Sequence, residues 1–474
     1  MAKLDLLLIS PSDINTYGSL DDLAGIAPPL GLALIAEYVR ERGYKVEIID
    51  IKPDRYTDEM VAEYCRHHSP SLVGISSTTP KMDITIRTAW KIKERWPELP
   101  IILGGIHATA LPENTLQDYD CFDHICKGEG FSAMVEAVEY AKAGNKESRI
   151  FNDPEPVDLE TLHYAAWTLL PMERYRSHLW HSFGQHTRGG YGVLWSSLGC
   201  PYTCSFCSVG LVRAKYGERR PEDFVDELGL LIKRHKVRYL EIIDDLFTLN
   251  PERVHWICDD IIRRGYNKEV NMWCYGRVGT VDERILDKLR EAGFTWIVYG
   301  FETGSERIGK TVNKAFSKEK IRKTVKMTHD AGLNILANWM FGFPDDSLET
   351  MQETLDLAQD IDSEFANFYM MMSFPGTAMY QEDINGLRPN WSSYLQYSYD
   401  TIPMGTKYLS PEKVLQFRDK SFMGYFSSER YQKRISEKFG PIGISMIKRI
   451  LAKGMPDRRI LKTGEQNQLI IAND

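Results

Sequence analysis

The chain has 474 residues, 43% hydrophobic and 26% charged, a globular composition too long for one average core, so two or three domains are expected. A formal net charge of -8 argues against a broad nucleic-acid footprint and leaves a small-molecule or lipid-linked substrate as the expected partner. Eight cysteines in a chain this long do not make a disulfide scaffold, and no apolar run reaches the roughly 18 residues of a membrane span. The best run, residues 24–39, is broken by Pro28 and Pro29, and the opening Met1-Ala2-Lys3-Leu4-Asp5 does not read as a signal peptide. The expected setting is reducing and cytoplasmic.

Residues 1–143 alternate short β-rich runs with amphipathic helices, which predicts an α/β unit with a parallel sheet covered on both faces. Strands are expected at 4–10, 45–50, 71–76, 101–103 and 124–126. Between the first two, residues 31–42 place Leu32, Ile35, Ala36 and Val39 on one helical face, with Gly43 as the stop. The order resembles a five-stranded flavodoxin-like (Rossmann-like) domain, whose ligands sit outside the carboxyl ends of the strands. Residues 144–190 lose the periodicity and carry Pro154, Pro156, Pro171, Gly189 and Gly190, the composition of a linker. From 191 to 380 the alternation returns, with strands expected at 191–197, 239–243, 269–273, 296–301, 335–341 and 365–372. Six βα units predict an open partial barrel. One of its helices, 347–361, has Ser347 as N-cap and Leu348, Met351, Leu355 and Ala358 as its buried stripe. Residues 381–474 read as a helical, aromatic region, expected to form a lid.

The strongest chemical signal is Gly199-Cys200-Pro201-Tyr202-Thr203-Cys204-Ser205-Phe206-Cys207, three thiols in one loop directly after the first barrel strand. Three thiolates on a 4Fe-4S cluster leave one iron free to chelate a ligand. A zinc site and incidental buried thiols are the alternatives, but structural zinc usually takes four protein ligands in paired spacing. Cys200-x-x-x-Cys204-x-Phe206-Cys207 is similar to the signature of the radical S-adenosylmethionine superfamily, and the barrel extends the resemblance. It implies Cys200, Cys204 and Cys207 as cluster ligands, with S-adenosylmethionine chelated at the open iron and lying across the carboxyl ends of the barrel strands. Those ends present Asp244 and Asp245, Arg277, Glu302, Asn338, and Gly342 with Phe343; Phe206 sits inside the cysteine loop. Carboxylates suit an ammonium or ribose hydroxyls and an arginine suits a carboxylate. Asp244, Asp245 and Arg277 are the candidate catalytic residues, and plain strand-end capping is the other reading of the two acids. The Gly-Gly-Glu found after the second barrel strand in many family members is absent here.

A second constellation lies in the first domain: Ser10, then Pro29-Leu30-Gly31, Ser76-Ser77-Thr78, Gly104-Gly105 with His107, and Gly128-Glu129-Gly130, all at carboxyl ends of expected strands. Paired with the cysteine loop, it resembles the cobalamin-binding domain fused to one branch of radical S-adenosylmethionine enzymes. The Asp-x-His-x-x-Gly motif of other cobalamin enzymes is missing, because Ser10-Pro11-Ser12-Asp13-Ile14-Asn15 follows the first strand. His107 is therefore expected to stabilise its loop or touch the cofactor's tail, not to ligate cobalt. The resemblance implies three cofactors, a 4Fe-4S cluster, S-adenosylmethionine and cobalamin. It also implies a low-potential electron donor, a flavodoxin or ferredoxin. Methylation of an unactivated carbon is the leading reaction, a ring-forming or rearranging oxidoreduction the second, and a cobalamin- or cluster-binding sensor without turnover the third.

Overall fold

The computed structural model describes residues 3–12, 23–185, 187–213, 215–381 and 390–462. The first unit is a parallel sheet of β1 (Leu6–Ser10), β2 (Val46–Asp50), β3 (Leu72–Ser76), β4 (Ile101–Gly104), β5 (His124–Lys127) and β6 (Arg149–Asn152), in the order 2-1-3-4-5-6. β1 reads Leu-Leu-Leu-Ile and is buried at each of these positions because helices cover both faces. Leu30–Arg40 and Phe131–Lys142 pack on one face, Asp58–His68 and Met82–Arg95 on the other. The flavodoxin-like order holds for the five expected strands. β6 is a correction: it comes from residues read as linker, where a short edge strand with one fully buried position shows no period.

The second unit starts at β7 (Tyr191–Leu194), followed by a two-stranded ribbon, β8 (Ser197–Leu198) and β9 (Gly217–Glu218). Then come β10 (Tyr239–Ile242), β11 (Asn271–Gly276), β12 (Phe294–Glu302), β13 (Asn334–Phe341) and β14 (Phe365–Met370). The six long strands are parallel in the order 7-10-11-12-13-14. Among the described residues no ladder joins β7 to β14, so the barrel stays open, as expected. Helix Leu348–Asp360 starts at a capping box in which Ser347 and Thr350 satisfy each other's backbone. Its stripe is rotated from the expected one: Met351, Thr354, Leu357 and Ala358 are buried, whereas Leu348 is 52% exposed. A first-turn residue leans back past the end of the sheet, so its helical phase alone does not bury it.

The stretch between the units is structural. The Tyr175 hydroxyl donates to Asp50 at the end of β2 (2.9 Å), and Ile26 and Gly189 both bridge to Arg176. Ala165 N and Trp167 Nε1 donate to Glu227 on a barrel helix (2.8 and 2.7 Å), and Arg219 pairs with the same buried carboxylate at 2.6 Å. One apolar core consequently runs from the first sheet through this stretch into the barrel. Beyond the barrel, helix Pro411–Ser427 packs on β14, and Glu429–Lys453 is interrupted at Gly440 ahead of Pro441. The turn Trp391–Tyr394 docks back on the first unit: Asp83 accepts from Trp391 N (3.3 Å) and Ser392 N (2.7 Å).

Candidate active site

The cysteine loop leaves β8 through Gly199, whose φ is +84° and where a Cβ would lie 2.9 Å from the Lys215 carbonyl oxygen, so only glycine fits. Gly199 N donates to Asp245 Oδ2 at 2.9 Å, and Cys207 N closes a turn onto Cys204 O at 3.0 Å. The far side is held by a segment that sequence reading missed. Ser205 N donates to Val312 O (3.3 Å), and Asn313, itself left-handed at φ +57°, donates to Thr203 O (3.3 Å). Phe206 drops into a small apolar patch with Phe343, Ile308 and Val312, its ring 5.5 Å from that of Phe343. The aromatic before the last cysteine thereby anchors the loop.

Cys200 and Cys204 are half-buried and Cys207 is exposed, while the five other cysteines are buried. Burial pushes the Cys65, Cys121 and Cys126 thiols up to about 12, which leaves them neutral and poor as ligands. Arg277 stacks on Tyr202 at 3.9 Å and points Nη1 at Cys204 Sγ (3.8 Å). Among the described residues no three Cys, His, Asp or Glu side chains converge as one metal ion requires. Thiolates that each ligate a separate iron of a cubane need no such convergence, so the three-thiol loop fits a 4Fe-4S cluster.

The strand-end residues divide by role. Asp244 is wholly buried and accepts from Ser196 N (2.6 Å), Ser196 Oγ (2.5 Å) and Ser197 Oγ (2.6 Å). Arg253 completes the knot through Ser196 Oγ (2.9 Å) and Ser196 O (2.7 Å). Both oxygens accept from the residues at β7's exit, the arrangement of the capping alternative. Asp245 beside it is exposed, yet the recess around it raises its pKa. Glu302 is buried, left-handed at φ +66°, and paired with Lys314 at 2.7 Å. Gly342 N and Phe343 N both donate to Asp346 at 3.0 Å, which fixes that turn. Asn338 lies deeper, bonded to Asn367 at 3.1 Å.

At the carboxyl edge of the first sheet, Ser76, Ser77, Thr78, Gly104, Gly105 and Gly128 to Gly130 come together around β3, β4 and β5. Gly105 has φ +94°, and a Cβ there would sit 2.4 Å from Ser77 O, so a closer side chain is forbidden. His107 is buried, with Nδ1 3.2 Å from Thr79 Oγ1 and its ring 4.6 Å edge-on to Trp391. Burial pushes its pKa down to about 4, and Nε2 has no hydrogen-bond partner among the described residues. A neutral ring held this way fits the loop-stabilising expectation, and the orphaned Nε2 suits a polar group of a bound cofactor. Ser10 ends β1, and Pro29, Leu30 and Gly31 open the first helix; Asp13 to Asn15 lie outside the described residues. Glu129 faces the barrel unit: it accepts from Arg213 (2.5 Å) and from Val157 N (2.8 Å). A recess of about 510 Å³ lies there between Thr109, Gly128, Asn152, Asp153 and Leu211.

A B12 binding domain model matches residues 19–138, and a Radical SAM superfamily model matches residues 196–358. The chain is 27% identical over 447 residues to an uncharacterized methyltransferase of Pyrococcus horikoshii, covering 90% of this chain and 93% of that one. It is 27% identical over 399 residues to the anaerobic magnesium-protoporphyrin IX monomethyl ester cyclase of Rubrivivax gelatinosus, covering 80% and 69%. Among solved structures, the radical S-adenosylmethionine methyltransferase TsrM of Kitasatospora setae, with cobalamin and a [4Fe-4S] cluster bound, shares the fold. The TM-score is 0.68 at 17% identity, over 91% of this chain and 90% of that one. The chain belongs to the radical S-adenosylmethionine enzymes that carry a B12 binding domain, in the methyltransferase and cyclase branch, with a 4Fe-4S cluster, S-adenosylmethionine and cobalamin as its cofactors.

Proposed function

We propose that this chain is a C-methyltransferase acting on an unactivated carbon of a small-molecule or lipid-linked substrate. The observation that carries the reading is the abutment of the two carboxyl-end faces. A Cβ on Gly376, just past β14, would lie 2.6 Å from Leu211, which follows the cysteine loop, and 3.2 Å from Ala110 of the first unit. The residues that would hold a methyl carrier on one face are thereby brought near those that would hold the radical-generating cofactors on the other. A relative named as a methyltransferase that spans both chains almost end to end supports the same reading.

When bound, the cofactors supply a 5'-deoxyadenosyl radical and a transferable methyl group. The residues of the chain hold and orient them. Cys200, Cys204 and Cys207 are the proposed cluster ligands, with Arg277 directed at Cys204. Asp245, Glu302, Gly342 and Phe343 border the proposed S-adenosylmethionine site, and Asp244 holds the loop in position. The edge from Ser76 to Thr78, Gly104 to His107 and Gly128 to Gly130, with Ser10 and Pro29 to Gly31, is the proposed cobalamin seat. The C-terminal region, pinned through Trp391, helps exclude water. Reduction is assigned to a flavodoxin or ferredoxin in a reducing cytoplasm.

The test is stoichiometric. Anaerobic turnover with S-adenosylmethionine deuterated in its methyl group is expected to yield 5'-deoxyadenosine and S-adenosylhomocysteine in about equal amounts, with all three labels in the product. Altered substrate with 5'-deoxyadenosine but no S-adenosylhomocysteine and no label would replace methylation by a cyclase-type oxidoreduction.

A further inference from the structure

Inside the open barrel lies a cavity of about 330 Å³. Its wall is strongly aromatic, with Trp180, Trp273, Tyr275, Phe365, Tyr369 and Phe422. Among its described lining residues there is one carboxylate, Glu241, and no lysine or arginine. Glu241 Oε2 accepts from the Tyr191 hydroxyl, and Oε1 makes no hydrogen bond among the described residues. Burial pushes this carboxyl up to about 7, opposed by the Tyr191 bond, with no cation among the described residues contributing. His178, on the same wall, is kept neutral by burial, its pKa pushed down to about 4. Arg188 directs its guanidinium at the carbonyls of Ser177, Leu23 and Ala24.

Two independent features therefore favour the same sign of charge. A half-buried carboxylate inside the fold, with no cationic partner among the described residues, is costly until a cation reaches it. The faces of aromatic rings carry negative quadrupoles that attract cations. The depth is suitable too. Glu241, on β10, precedes Asp244 by three residues, about 10 Å of extended chain below the end that anchors the cysteine loop. The Asn338 and Asn367 pair stands higher in the ladder, since Glu241 is level with Trp273 and Trp296 while Asn338 is level with Gly300. Neutral amides thus lie between the acid and the barrel mouth.

We propose that this cavity seats a basic group of the substrate, an amine whose ammonium pairs with Glu241 inside the aromatic wall. The inference rests on reading the barrel as the substrate's chamber and narrows that substrate to a cationic class. Glu241 is a positioning residue for the bound molecule.

The test uses three probes that share one ring system and differ in charge: 2-(naphthalen-1-yl)ethylamine, 2-(naphthalen-1-yl)ethanol and naphthalen-1-ylacetate. Each is titrated calorimetrically into the reconstituted holoprotein under anaerobic conditions without reductant, so binding is read with no turnover. The amine is expected to bind at least about tenfold tighter than the alcohol, and the acetate not at all, the tenfold corresponding to one decade in Kd. Glu241→Gln is expected to erase the preference while leaving the alcohol's affinity within about threefold, as loss of a single charge partner would. Tyr191→Phe keeps the carboxylate and removes its only hydrogen bond among the described residues, so the amine preference should survive there even if Glu241→Gln fails to fold. Equal affinities of amine and alcohol, no amine binding at millimolar concentration, or a preference that survives Glu241→Gln or vanishes in Tyr191→Phe would overturn the proposal. Because no turnover is involved, such a failure leaves methylation to be judged by its own stoichiometry.

Discussion

Replacing Asp244 by Asn separates an anchoring acid from a reacting one. In the structure the carboxylate takes three short hydrogen bonds, from Ser196 N, Ser196 Oγ and Ser197 Oγ, and Arg253 grips the same serine. An asparagine keeps one acceptor oxygen and turns an NH2 toward hydroxyls that now have no acceptor. Two charge-assisted bonds are lost at about 1.5–3 kcal/mol each, and the Arg253 charge loses its neighbour, so about 3–5 kcal/mol is expected. The barrel's urea transition should move to lower denaturant, and iron and acid-labile sulfide should fall well below one cluster per chain, because Ser196 and Ser197 at β7's exit no longer position the cysteine loop. Urea unfolding and iron analysis on the same reconstituted samples check both. If stability and iron content are unchanged while 5'-deoxyadenosine formation disappears, Asp244 acts on a bound molecule and the anchoring argument is refuted.

Cys200→Ala, Cys204→Ala or Cys207→Ala is expected to abolish cluster loading, whereas Cys65→Ala and Cys258→Ala, at buried sites away from the loop, should retain iron; iron analysis with absorption spectroscopy decides. Glu364 is buried, and although burial raises its pKa, His329 and Lys438 hold it down to about 2. A depressed carboxyl pKa stabilises above the unfolded value and is lost as pH falls from about 4.5 toward 2, so about 2 kcal/mol should vanish by pH 3 in the parent and not in Glu364→Gln, read by denaturant unfolding at pH 6 and pH 3. Gly105→Ala combines positive φ with a Cβ 2.4 Å from Ser77 O and should cost about 2–4 kcal/mol and lower cobalamin retention, measured by thermal unfolding and bound corrin absorbance.

What the sequence determined by itself is what short spacing encodes. The three thiols lie within one loop, so the open-iron cluster and the superfamily were legible from residues 200–207. The switch between period-two and period-3.6 patterns placed all five expected strands of the first sheet and all six of the barrel, because buried parallel strands read as unbroken apolar runs. The glycines at 104, 105, 128 and 130 marked the sheet edge for the same local reason. What only the tertiary structure decided is which groups meet across long stretches of chain. Asn313 reaches Thr203 across 110 positions, and Asp83 caps the turn at Ser392 across 309. No period links such partners. Asp244 and Asp245 are adjacent and chemically alike, yet one turns inward onto two serines and the other outward, a division made by the pleat and by what β7 presents. Glu241 looked like any residue of a strand. Its meaning as the one carboxylate among the described lining residues of an aromatic cavity appeared only when five barrel strands, residues 178–180 and Phe422 closed around it. Charge and burial are properties of an environment, and that environment is assembled from the whole fold.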